Sequence, residues 1–283
     1  MKIAFQGEPG AYSELAAKEF FGVSKKYLPV PEFGDVYTMV ASGKVQHGIL
    51  PIENSLAGSI HQNYDILLKG DLSIIGEIYL KVSHYLIANE GVKRKNIKRV
   101  YSHPQALAQC KNYLRKFKNL QLIPVSNTAS AVRMIKKEKL DDAAAIASMQ
   151  AAIDYNMAVF GKRIEDVKNN QTRFIMLGKK ALQIKSRRKK AKTSIVFTLK
   201  NIPGALFRAL SVFALRDIDL YKIESRPVHG RNFEYMFYLD FDGNIDSGPQ
   251  QNAVNHLREI TSFERILGSY YVGNVVHPIY QKR

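Results

Sequence analysis

The sequence contains a single cysteine, Cys110, which rules out an intrachain disulfide framework and leaves too few thiolates for a zinc or iron–sulfur site. A reducing compartment, the cytoplasm, is the expected address. Nowhere do about 18 apolar residues run without interruption, so no membrane-spanning helix and no membrane partner are predicted. The start, Met1-Lys2-Ile3-Ala4-Phe5-Gln6-Gly7, lacks the apolar core and cleavage site of an export signal and passes directly into a strand-like segment. Familiar catalytic signatures are missing too. There is no H-E-x-x-H, Cys-x-x-Cys, G-x-S-x-G or Walker loop, and none of the seven histidines stands in ligand spacing with another. Metal-dependent and nucleophilic catalysis are therefore disfavoured, and no cofactor is expected.

Acidic residues are absent from one stretch. The formal net charge is +17, from 42 Lys and Arg against 25 Asp and Glu. Nearly half of it comes from Lys179, Lys180, Lys185, Arg187, Arg188, Lys189, Lys190 and Lys192, with no acid between them. Without interleaved aromatics or a groove-reading motif, the run reads as a solvated connector between domains and not as a nucleic-acid contact.

What is present suffices for two packed domains: 46% of residues are hydrophobic and 10% aromatic. Before the basic run, strand-like segments at 3–6, 48–52, 72–75, 98–102, 120–125, 143–147 and 172–177 alternate with helix-period segments, an α/β signature. A helix after Ser59 places Ile60, Tyr64, Leu67 and Leu68 on one face and closes at Gly70. Another, at 13–21, has Ser13 placed as N-cap and Glu14 at its positive end, with Gly7 and Gly10 in the preceding turn. After the basic run the order is strand 193–200, helix 204–215, strands 218–225 and 233–241, helix 250–259 and strand 266–272. That βαββαβ order, with Leu206, Leu210, Phe213 and Ala214 on one helix face, predicts a ferredoxin-like sandwich, a module that commonly pairs with a copy of itself. The expected partition is 1–178, a linker at 179–192, and 193–274.

Polar turns at strand ends, where open α/β sheets collect small ligands, supply the candidate site. They are Gly7-Glu8-Pro9-Gly10-Ala11-Tyr12-Ser13, Glu53-Asn54-Ser55-Leu56-Ala57-Gly58-Ser59, Ser102-His103-Pro104-Gln105, Ser126-Asn127-Thr128 and Asn170-Gln171-Thr172-Arg173-Phe174. Their hydroxyls, amides and free backbone N–H groups suit a carboxylate-bearing ligand. Each has a plainer alternative: Asn54 and Ser55 serve equally as helix caps, His103 beside Pro104 as a turn residue, and Arg173 as half of a structural ion pair.

Taken together, Gly7 to Ser13, Pro51-Ile52-Glu53-Asn54-Ser55 with Gly58, Ser102 to Gln105 with Gln109-Cys110, and Thr172-Arg173-Phe174 resemble the prephenate dehydratases. The second domain resembles the ACT regulatory module of those enzymes, through Asn201-Ile202-Pro203-Gly204-Ala205-Leu206 and Ile223-Glu224-Ser225-Arg226-Pro227. Ala11 stands where the family often has Thr, and Phe233 where it often has Trp. With no chorismate mutase segment on either side of these motifs, the monofunctional form is expected.

The resemblance implies a catalytic domain of two lobes similar to type II periplasmic binding proteins, converting prephenate to phenylpyruvate, CO2 and water. It places Thr172 at the leaving hydroxyl and Arg173 at a substrate carboxylate, with Asn54, Ser55, Gln109 and Thr128 completing the hydrogen-bond set and Phe174 walling the ring. L-Phenylalanine is the implied effector, held by Asn201, Gly204, Ala205, Leu206, Glu224, Ser225 and Arg226 in a homodimer or homotetramer. A threonine hydroxyl is too weak an acid for conventional general-acid work, so Thr172 reads as a positioned donor or relay, and Glu53, Glu8 or His103 remain alternative proton sources. Arogenate as substrate, and a non-enzymatic ligand-binding protein with an ACT sensor, are the competing readings.

Overall fold

A computed structural model describes residues 1–186, 189–228 and 234–281; Arg187 and Arg188 of the basic run and Phe233 lie outside the described residues. In chain order the elements begin β1 (Lys2–Gln6), α1 (Tyr12–Phe21), β2 (Lys26–Val30), α2 (Phe33–Ala41), β3 (His47–Asn54), β4 (Gly58–Ser59), α3 (His61–Leu67) and β5 (Ser73–Lys81). There follow β6 (Tyr85–Ala88), β7 (Arg99–Ser102), α4 (Pro104–Gln109), α5 (Lys111–Leu114), β8 (Gln121–Pro124), α6 (Thr128–Lys137), β9 (Ala143–Ala147), α7 (Met149–Asp154), β10 (Ala158–Gly161) and β11 (Gln171–Gly178). The chain ends with β12 (Ala191–Leu199), α8 (Ala205–Ala214), β13 (Leu220–Pro227), β14 (Tyr235–Asp242), α9 (Gly248–Ile260), β15 (Thr261–Tyr271) and β16 (Val275–Val276).

Two units emerge, and they do not follow the linear partition. The first comprises Met1–Ile66, Ile78–Phe174 and Val275–Arg283; the second comprises Leu67–Glu77 and Ile175–Asn274. A split at 178 misses this because the second unit takes in a segment that arrives a hundred residues earlier in the chain.

The first unit carries a sheet ordered β16-β5-β11-β3-β1-β2 and a second sheet ordered β10-β6-β9-β7-β8. In the second sheet β9, Ala143 to Ala147, is buried along its whole length. Its odd positions join a core with Ile87, Val132 and Ile135, and its even positions join one with Val100, Leu107 and Leu114. Small side chains let helices close on both faces of this strand, the α/β pattern that the alternating segments predict.

Turn chemistry joins the first sheet to the second. Gly10 has φ +85, and a Cβ built there would lie 2.7 Å from the Ala151 Cα, so neither the backbone angle nor the space admits a side chain. Its carbonyl accepts the Ser148 hydroxyl at 2.6 Å, and its N–H donates to Glu14 at 2.7 Å. Glu14 thus serves the start of α1 as expected, whereas Ser13 does not cap it: the N-cap is Ala11 with no side-chain bond, and Ser13 lies buried inside the helix.

The second unit runs β12-α8-β13-β14-α9-β15, with sheet order β13-β14-β12-β15 and every pairing antiparallel. Its core gathers Ile195, Phe197, Leu239 and Phe241 against Ala209, Val212 and Phe213 of α8 and Val254 and Leu257 of α9. The expected helix face holds at Phe213 and Leu210, which join the core, and is corrected at Leu206 and Ala214, which are solvent-exposed; Ala209 and Val212 are the other buried positions of α8. Lys192 is a second correction. It belongs to β12 and not to a solvated connector, and its buried ammonium donates to the Glu77 carboxylate at 2.8 Å.

Candidate active site

Three of the expected residues meet at the ends of β3 and β11. The Asn54 amide nitrogen donates to the Thr172 hydroxyl oxygen at 3.0 Å, to the Gln171 carbonyl at 3.1 Å and to the Asn170 side-chain oxygen at 2.7 Å. Its orientation is fixed at the other end, where the Asn54 side-chain oxygen accepts the backbone N–H groups of Leu56 and Ala57, both at 3.1 Å. Backbone donors cannot turn round, so the amide nitrogen must face Thr172. Ser55 holds the same two chain segments together, its N–H donating to the Gln171 carbonyl and its hydroxyl accepting the Gln171 N–H, each at 2.9 Å. Asn54 and Ser55 are therefore ties between strands and not helix caps.

From Asn170 the chain of amides continues toward the second sheet. The Asn170 amide nitrogen donates to the Gln109 side-chain oxygen at 2.9 Å, and the His84 Nε2 lies 2.9 Å from the same oxygen. On the other side of the imidazole, Nδ1 stands 3.2 Å from the Tyr12 hydroxyl, which donates to the Ser83 carbonyl at 2.5 Å. The His84 backbone N–H is held by Glu165 at 2.9 Å. Burial pushes the His84 imidazole below the ordinary histidine range and the Tyr12 phenol well above its own, so both are neutral at neutral pH.

Sequence reasoning missed His84 and Glu165 in this network and left Tyr12 and Asn170 unassigned within their turns. His84 follows β5 in an apolar run without turn signals, so only its place beside Gln109 marks it.

Other expected residues are placed differently. His103 caps α4, its Nδ1 accepting the Gln105 N–H at 3.2 Å, and burial lowers its pKa. Glu8 pairs with Arg133 at 3.1 Å. The two-residue period of β11 turns Arg173 to the opposite face of the strand from Thr172 and Phe174, and Arg173 is itself buried. Phe174, 2% exposed, packs into the core on Thr172's side. Thr128 opens α6 behind its N-cap Asn127 and is not joined to the Asn54 network.

In the second unit, Asn201, Gly204, Ala205 and Leu206 line a pocket with Leu199, Phe207, Tyr235 and Phe237. Gly204 adopts φ +76, the left-handed conformation that lets α8 start there. Ser225 pairs in register with Phe237 and shares its face, but Glu224 and Arg226 fall on the other face of the sheet. The structure thus brings four residues of the first motif together and leaves Glu224 and Arg226 out of the pocket.

A family model described as prephenate dehydratase matches residues 3–182. This chain belongs to the prephenate dehydratase family. Arogenate dehydratase/prephenate dehydratase 2, chloroplastic, of Arabidopsis thaliana is 46% identical over 281 residues, 96% of this chain and 73% of that protein. Among solved structures, the prephenate dehydratase of Arthrobacter aurescens in complex with L-Phe aligns with a TM-score of 0.87 at 29% identity, over 96% of this chain and 90% of that one. A structure described as GqqA, a novel type of quorum quenching acylases, aligns at 0.88, also with 29% identity, over 96% and 98% of the two chains.

As a member of this family the chain is a lyase-type dehydratase of aromatic amino acid biosynthesis. The expectation of a cytoplasmic address is overturned by the relatives, since arogenate dehydratase/prephenate dehydratase 1 and 2 of Arabidopsis thaliana are chloroplastic. A lone cysteine bears on the redox state of a compartment and not on which compartment it is.

Proposed function

We propose that this dehydratase expels CO2 and hydroxide from prephenate, or from its amino counterpart arogenate, and that its second unit is an ACT-type sensor of L-phenylalanine. In the reaction the substrate carboxylate leaves as CO2. The electron pair of the broken C–C bond enters the ring, the ring hydroxyl departs from the opposite carbon, and one proton converts that hydroxide to water. Aromatisation drives the step, so the protein must orient the dianion and stabilise the leaving oxygen.

The Asn54–Thr172 bond is the observation that carries this reading. The Thr172 oxygen already accepts from Asn54 at 3.0 Å, which turns its hydroxyl hydrogen outward as a donor. A donor so placed can hydrogen-bond the departing hydroxide in a site assembled between two lobes, as in type II periplasmic binding proteins. Purified protein given prephenate and arogenate separately should release phenylpyruvate or phenylalanine, the faster of the two naming the preferred substrate. Turnover of neither would overturn the proposal.

For the effector, the pocket at Asn201, Gly204, Ala205 and Leu206 combines an open backbone with the apolar walls Phe207 and Phe237, which suits an aromatic amino acid. Phe207 on α8 is 75% exposed and Leu215, the C-cap of that helix, 78%, an apolar surface that a second copy in a homodimer or homotetramer would cover.

A further inference from the structure

We infer that His84 is a positioning residue of the dehydratase site, acting through Gln109 to present that residue's amide nitrogen as a donor to substrate. Two backbone N–H groups set the direction of the whole chain of amides. Leu56 and Ala57 donate to the Asn54 side-chain oxygen, so the Asn54 nitrogen faces Asn170 and must meet its oxygen there. The Asn170 nitrogen is then the atom facing Gln109, and the Gln109 atom that receives it is the oxygen. That oxygen also lies 2.9 Å from His84 Nε2, which must carry the imidazole hydrogen for the contact to be attractive. Each amide orientation, and the tautomer, follows from the one before it.

The consequence falls on the other end of Gln109. With its oxygen held by two donors, its amide nitrogen has no hydrogen-bond partner among the described residues and is free to bind a carboxylate or hydroxyl of the ligand. Without His84 one of the two bonds fixing the amide is lost, and the oxygen can rotate into the site, where it would repel an anionic substrate. Burial keeps the imidazole neutral, so Nδ1 is an acceptor, and the Tyr12 hydroxyl shares its hydrogen between Nδ1 at 3.2 Å and the Ser83 carbonyl at 2.5 Å.

The inference rests on the dehydratase reading, and the test separates the two. A glutamine in place of His84 puts an amide nitrogen where Nε2 stands, whereas an asparagine reaches only as far as Nδ1, toward Tyr12. With the faster of prephenate and arogenate as substrate, His84→Gln should keep kcat/KM within about threefold of wild type. His84→Asn should lose roughly tenfold or more, chiefly in KM, the size expected for one mispaired buried hydrogen bond. In a Gln109→Ala background the two His84 variants should differ by less than twofold, because the residue through which His84 acts is gone.

Equal activity of the two variants, a better Asn than Gln variant, or the same difference with and without Gln109 would overturn the inference. An inactive wild type would instead sink the dehydratase reading. Matching thermal unfolding of the Gln and Asn variants excludes a folding origin for a difference between them. If the Asn variant alone unfolds early, the Gln109→Ala comparison of wild type with His84→Gln and with His84→Leu decides by the same non-additivity.

Discussion

Asn54 and Thr172, 118 residues apart in sequence, are joined by a 3.0 Å hydrogen bond in which the threonine oxygen is the acceptor. That polarity makes the threonine hydrogen available to a ligand. If the amide were reversed, the hydroxyl would be spent on Asn54.

Thr172→Ala should therefore lower kcat by about 100-fold or more with KM changed only a few-fold, since the interaction is made mainly in the transition state. Asn54→Asp should do comparable damage with Thr172 still present, because a carboxylate accepts from the hydroxyl and turns its hydrogen inward. Steady-state kinetics on both variants checks this, and an Asp variant within a few-fold of wild type would show that the polarity of the bond does not matter.

Lys192 and Glu77 form an ion pair whose side chains are 3% and 0% exposed, and the Gly273 N–H donates to the same carboxylate oxygen at 3.1 Å. The Lys192 ammonium also sits 4.5 Å from the Tyr221 ring centroid. Lys192→Met removes the cation beside a buried carboxylate and should cost about 3–5 kcal/mol in denaturant unfolding. Adding Glu77→Leu should recover part of that loss, since the carboxylate is removed with its cation while the Gly273 N–H loses its acceptor. A Lys192→Met change of under about 0.5 kcal/mol would mean that the pair is not formed.

Gly204 offers open space, with nothing within 4 Å of a built Cβ, but its φ of +76 is unfavourable for a β-branched residue. Gly204→Val should thus shift the Asn201 to Leu206 loop without steric collision in the core. Calorimetric titration is expected to show L-phenylalanine binding to wild type and at least tenfold weaker binding to the variant, with catalysis in the absence of effector retained. Equal affinity would remove this pocket as the effector site.

Much of the fold was legible in the sequence because burial imposes a period. The alanine-rich strand at 143–147, the apolar stripe of Tyr64 and Leu67, and the βαββαβ order after residue 191 each write their packing into residue spacing. Reading fails where spacing carries no signal. β6 is a four-residue strand buried on both faces, too short to show a period. Ser13 looks like a cap, but the turn at Gly10 moves the N-cap two residues earlier, to Ala11. Lys192 continues a basic run in sequence, yet strand β12 carries it into the interior, where Glu77 awaits it.

The sequence by itself determined the family, the two α/β units and the polar turns from which a site for an anionic ligand can be built, because motif order and hydrophobic period are local properties of the chain. Only the tertiary structure decided which of those turns meet. Asn54 reaches Thr172, and Gln109 reaches Asn170 and His84, while the alternation of strands turns Arg173, Glu224 and Arg226 to other faces. Hydrogen-bond direction depends on which donor faces which acceptor across the fold, and no spacing along the chain encodes it.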